Sequence, residues 1–169
     1  MKRRVSLGIG VLIILWFAAC IELPAQSETK TSLSKTDRDN IFKSDFTMVK
    51  NTEAIPANVK QSFAEITREP SFALANPGQE YQATDVVNPK KPRLPWRRLI
   101  FAGRCGDKWF IHYERGGIGH SYAIVLLSDD GGNRPRLLWG GVGFSGAENL
   151  TELRALVAAD RFSEKHSYY

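Results

Sequence analysis

The sequence is poor in cysteine, poor in histidine and without an apolar run long enough to span a bilayer. It has two cysteines, Cys20 and Cys105, among 169 residues. If Cys20 is processed or modified, one thiol remains and no internal disulfide is possible, so stability must come from a buried core. Three histidines leave little for a metal centre, which needs three or four converging ligands. The only local set is His112, Glu114 and His120, and no metal site is expected. The main apolar run, Leu7–Ala19, covers 13 residues, short of the roughly 20 that a spanning helix needs. A strong charge excess is also missing. Lys and Arg total 23 against 18 Asp and Glu, but three of the basic residues precede Cys20, leaving 20 against 18. That balance gives no electrostatic case for nucleic-acid binding.

What the N-terminus does contain is a pattern for export. Lys2, Arg3 and Arg4 form a positive segment, the apolar run follows, and Ala18 and Ala19 precede Cys20. The tetrad Phe17-Ala18-Ala19-Cys20 resembles the lipobox of bacterial lipoproteins, although Phe17 stands where an aliphatic residue is usual. The resemblance implies a lipid on Cys20 and a membrane partner through it. Ordinary cleavage after Ala25 and an uncleaved anchor are the alternatives, and all three place the body outside the cytoplasm, in the bacterial envelope or secreted. The expected organisation is a signal over 1–20, a polar tether over 21–40 and one globular domain over 41–169. The tether is rich in Ser, Thr, Lys and Asp, which cannot offset ordering entropy by burial.

The domain centres on Arg97–Phe144. Four runs rich in β-branched and aromatic residues, Arg97–Ala102, Lys108–Glu114, Ser121–Ser128 and Arg136–Val142, read as strands separated by glycine-bearing turns. Their short connections require antiparallel neighbours, hence a meander. In the second run Trp109, Ile111 and Tyr113 form an apolar face, opposite Phe110, His112 and Glu114. The third is apolar on both faces and should lie inside the sheet. Pro56–Arg68 has a helical stripe of Val59, Phe63 and Ile66, and Leu150, Leu153, Leu156 and Val157 form another. Asn149 with Glu152 fits an N-cap and its partner. Gln79–Val87 is a possible fifth strand, and Asn88–Pro95 is a proline-rich loop. The expected fold class is α+β: an antiparallel meander of four or five strands, with a helix before and a helix after it packed on one face.

No complete catalytic set can be assembled. Gly141-x-Gly143-x-x-Gly146 follows a strand and precedes a helix, as a dinucleotide fingerprint does, but no second parallel strand follows. A bulge and a close backbone approach at the strand end explain Gly140, Gly141 and Gly143 better, and no cofactor is expected. Gly119-His120-Ser121 precedes a strand rather than a helix, the wrong context for a nucleophile elbow. Cys105 sits in a turn with nothing nearby to activate it. Glycine is concentrated at Gly116-Gly117-Ile118-Gly119, flanked by polar residues, so His112, Glu114, Arg115, Gly119, His120 and Ser121 form the candidate ligand site. A four-residue loop there would pair Arg115 with His120 and place His112 and His120 on opposite faces. A loop one residue different would reunite them. The function expected is a non-catalytic envelope or secreted protein that binds a partner protein or small ligand. The alternative is an extracytoplasmic hydrolase using Ser121 with His120, or Cys105.

Overall fold

Two strands that are apolar on both faces cannot be stable with one face in water, and the computed structural model shows how that demand is met. It describes residues 33–86, 93–131 and 134–164. In chain order the elements are α1 (Lys35–Lys43), β1 (Thr47–Val49), α2 (Ala57–Thr67), β2 (Arg97–Cys105), β3 (Lys108–Arg115), β4 (Ser121–Ser128), β5 (Arg136–Gly143) and α3 (Leu150–Ala158). The strands form one antiparallel sheet in the order β1-β2-β3-β4-β5. The α+β class and the four-strand meander are as the sequence predicts, and β4 is interior.

The fifth strand is β1, a three-residue edge piece paired with β2, and Gln79–Val86 instead runs as irregular chain. Val87 and most of the proline-rich loop lie outside the described residues.

The helices are not on one face. Val59 and Phe63 of α2 pack with Leu99, Trp109, Ile111, Tyr113, Ala123 and Val125. Phe42 of α1 and Leu153 and Val157 of α3 pack on the other side, with Phe101, Phe110, Ile124, Leu126 and Trp139. This corrects the expectation that all helices share a face, and the physical reason is plain. Phe110 and Ile124 need cover as much as Trp109 and Val125 do, and one helical layer cannot supply both.

Residues 35–40, expected within the tether, belong to α1. Ser34 caps the helix by accepting from the Asp37 N–H at 3.1 Å. Arg38 is buried, donates to the Val157 carbonyl and to Asp160 at 3.2 and 2.9 Å, and lies over Trp139. A polar segment is thus ordered by a paired, stacked arginine rather than by apolar periodicity alone. At the other end of the domain Phe162 is buried, and Ser163 bridges to Val142 with two 2.8 Å backbone hydrogen bonds. This short pairing covers the edge of β5.

That pairing explains the glycine pattern at the end of β5. A Cβ on Gly143 would sit 2.6 Å from the Arg161 carbonyl oxygen, and one on Gly141 would sit 2.8 Å from the Phe162 Cβ. On Gly146 it would meet the Tyr122 ring at 2.4 Å. Gly141 and Gly143 are there for close approach, as the sequence predicts, and Gly146 leaves room for the Tyr122 ring. At α3, Asn149 accepts from the Glu152 N–H at 3.0 Å, the expected cap.

Trp109 is buried in the α2-side core, as its position beside Ile111 and Tyr113 implies. Trp109→Ala should therefore cost about 3–5 kcal/mol through the cavity it leaves. Urea unfolding checks this, and a cost below about 1 kcal/mol would show that this face is open.

Candidate functional site

The β3–β4 hairpin closes with five residues, Gly116 to His120, because Arg115 pairs with Ser121 and Glu114 with Tyr122. The four-residue loop considered from the sequence is corrected by one residue. Strand alternation and the His120–Glu114 contact then sort five of the six candidates onto two sides of the sheet. His112, Glu114 and His120 lie with Tyr122 on the α3 side, and Arg115 and Ser121 lie on the α2 side.

His112 does not reach any surface. It is fully buried, with its Nδ1–H donating to the Ala123 carbonyl at 2.9 Å and its Nε2 accepting from the Ala147 N–H at 3.1 Å. Both nitrogens are therefore used by the fold, and the neutral tautomer is set. Phe101 and Phe162 contact its ring edge to face. Burial is the main reason its pKa falls to about 4, against the raising effects of the Ala123 carbonyl and Glu114. This residue is a core histidine that ties β3 to the segment entering α3.

Glu114 is the hub of a polar cluster at the hairpin end. Its Oε1 accepts from Arg98 Nε at 2.5 Å, and its Oε2 accepts from the Tyr81 hydroxyl and from His120 Nε2, each at 2.9 Å. Burial raises the Glu114 pKa, but the hydrogen bonds from Arg98, Tyr81 and His120 outweigh it, and the net shift is downward. Tyr81 is pushed up to about 12, by burial first and then by the Glu114 hydrogen bond, so it remains a proton donor to the carboxylate. The Arg98 guanidinium also stacks over the Tyr81 ring at 4.5 Å.

The sequence does not bring Tyr81 and Arg98 to this site, since nothing local shows that residues 79–86 fold over the hairpin. The hydrogen bonds Gln82 N–H to Pro95 O (2.8 Å) and Gly117 N–H to Ala83 O (3.3 Å) fasten this strap, beside a Gly116 N–H to Trp96 O bond (3.0 Å). The approach is close enough that a Cβ on Gly116 would meet the Gln82 carbonyl oxygen at 2.0 Å. Gly117 adopts a φ of 113°, which favours glycine.

On the α2 side, the same end of the sheet holds a cavity of about 930 Å³. Trp96, Ile118 and Phe144 supply apolar walls, and Arg97, Arg115 and Ser121 supply polar groups, with Gly116 and Gly119 also contributing. Arg97 is buried and paired with Glu69 at 2.7 Å. Behind it Tyr113 is driven up to about 12 by burial, with Arg97 and Arg115 pulling the other way. Of the six sequence candidates, Arg115, Gly119 and Ser121 line this cavity. Glu114 and His120 lie across the sheet from it, and His112 is sealed in the core.

No protein-family model, curated protein or solved structure matches this chain. What the site can do therefore rests on its own geometry. Ser121 and His120 are neighbours in sequence but project to opposite faces, so they do not form a nucleophile–base pair. Cys105 is at the other hairpin, roughly 20 Å along β3 from the Gly116–His120 loop. The Glu114 carboxylate is already held by three donors, which suits a clamp rather than a proton shuttle. Among the described residues, no three His, Cys, Asp or Glu side chains converge as a metal site.

The buried imidazole gives a pH prediction with a definite sign. The unfolded chain protonates His112 near 6.5 and the folded chain only near 4. Between those values the unfolded state binds more protons. His112 therefore contributes fully above about pH 6.5, and roughly 3 kcal/mol is lost as pH falls towards 4. NMR titration should find the His112 ring neutral at pH 5, and a protonated ring there in the folded protein would refute the assignment.

Proposed function

We propose that this chain is a non-catalytic binding module held outside the cytoplasm, whose ligand is a small amphipathic molecule in the cavity at the hairpin end. The carrying observation is that cavity: about 930 Å³, lined by Trp96, Ile118 and Phe144 together with the polar residues Arg115 and Ser121. Ligand sites characteristically combine mainly apolar walls with a few placed polar groups at about this size. The strap fixed by Glu114 keeps the glycine-rich rim in place, which limits the ordering cost of binding. Export follows from the positive N-terminal segment, the apolar run and Cys20, all of which precede the described residues. A hydrolytic reading gains nothing from the site, because the sheet separates Ser121 from His120 and Cys105 lies at the other hairpin.

A cavity-filling substitution tests the proposal. Ser121→Trp places a bulky ring in the cavity from the first position of β4 and leaves both cores untouched. Ligand-observed NMR with a panel of aromatic and aliphatic carboxylates should detect binding to the parent chain that the variant loses, at unchanged thermal stability. Equal signals from both would remove the cavity as the site, and serine-dependent turnover of an ester substrate would overturn the non-catalytic reading.

A further inference from the structure

Of the four large exposed apolar side chains among the described residues, Met48 lies on edge strand β1 and the three most exposed gather elsewhere. Ile118 is 96 % exposed, Phe144 90 % and Val86 75 %. Ile118 is on the β3–β4 loop, and Phe144 is the residue after β5. Val86 follows the strap residues that bond to Gly117. Ile118 and Phe144 share the rim of one cavity, together with Asp85 beside Val86. Three separate chain segments thus raise an apolar residue at one end of the sheet, where no packing requires it. Single exposed apolar residues are ordinary, but a convergent set at loop tips marks a contact surface.

The position of the chain's entry into the domain identifies the partner. α1 begins at Lys35, whose ammonium donates to the Ala158 carbonyl at 3.1 Å, so the entering chain lies beside the end of α3. The segment leaving α3 then places the Arg161 carbonyl oxygen against Gly143, one residue before Phe144. Entry point and apolar tips therefore lie at the same end. Cys20 precedes Leu33 by 13 residues, and such a stretch reaches at most about 45 Å when fully extended. A lipid on Cys20 would hold this end of the domain within reach of the bilayer surface.

We propose that the hairpin end of the domain contacts a lipid surface through Ile118, Phe144 and Val86, so that the cavity mouth faces the membrane. The contact rests on the anchored reading of Cys20 for its orientation, and on the exposed tips for its chemistry. Apolar side chains at loop tips enter the headgroup boundary, where they add buried apolar area and orient an anchored domain. The cavity would then draw its ligand from the lipid side.

The test uses the full chain in vesicles of phosphatidylethanolamine and phosphatidylglycerol, with Cys105→Ser to remove the other thiol. An environment-sensitive fluorophore is attached at Ile118→Cys or, at the opposite end of the sheet, at the exposed Arg136→Cys. Iodide in the aqueous phase should quench the probe at position 118 several-fold less than the probe at 136, and only when vesicles are present. Equal quenching at the two positions would overturn the contact. Shielding of position 118 without vesicles would also overturn it, by showing that a second copy covers the face. Intact mass reports separately on the anchor. If Cys20 carries no acyl group the anchored reading fails, and the same quenching comparison, with Cys20→Ser and added vesicles, judges the tip contact by itself.

Discussion

The pairing of β3 with β4 is the constraint on which the rest of the molecule depends. With Arg115 opposite Ser121, Tyr113 is beneath α2 and His112 is in the core beneath α3. Glu114 meets His120, while Arg115 and Ser121 open onto the cavity. A slip of one residue would exchange all of these, driving Arg115 and Glu114 towards the wrong cores and stripping His112 of both hydrogen-bond partners. The register is held from both sides. Phe110, Ile124 and Leu126 must face α1 and α3, and Trp109, Ile111 and Val125 must face α2. Burial on both faces is what makes a long glycine-rich loop tolerable, because the loop does not have to specify the pairing.

The two cores carry different polar groups, and this divides structural from functional chemistry. On the α3 side, His112 and Arg38 are buried with their donors and acceptors matched to backbone carbonyls, a backbone N–H and Asp160. Such networks fix one arrangement of elements and are costly to leave half-made. At the hairpin end, polar groups are instead shared between tertiary fastening and an open space. Glu114 fastens the strap, and Arg115 and Ser121 line the cavity.

Much of the fold was legible because strand and helix signals were local. The four strands follow from β-branched and aromatic runs, and α3 follows from Asn149 with Glu152 and the leucine stripe. Other features were set by distant partners. α1 looked like tether because its order depends on Arg38 reaching Val157 and Asp160, more than 100 residues away. The alternation in Gln79–Val87 predicts a fifth strand, but Gln79–Val86 runs as a strap bonded to Pro95 and Gly117 through only a few hydrogen bonds. The site was half legible for the same reason. Glycine density located the hairpin, and Arg115, Gly119 and Ser121 line the cavity there. Tyr81, Arg98, Trp96 and Phe144 come from segments that only the folded chain brings together. The loop length was undetermined locally, since Gly116 is required by the carbonyl of Gln82 rather than by the turn itself.

Cross-strand nuclear Overhauser contacts measure that register most directly. Backbone contacts should connect Glu114 with Tyr122 and Arg115 with Ser121, with ring contacts between His120 and Tyr122 on the same face. Contacts connecting Arg115 with His120 and Glu114 with Ser121 would contradict the account, because they would return Ser121 to the side of Glu114 and empty the cavity of its polar groups.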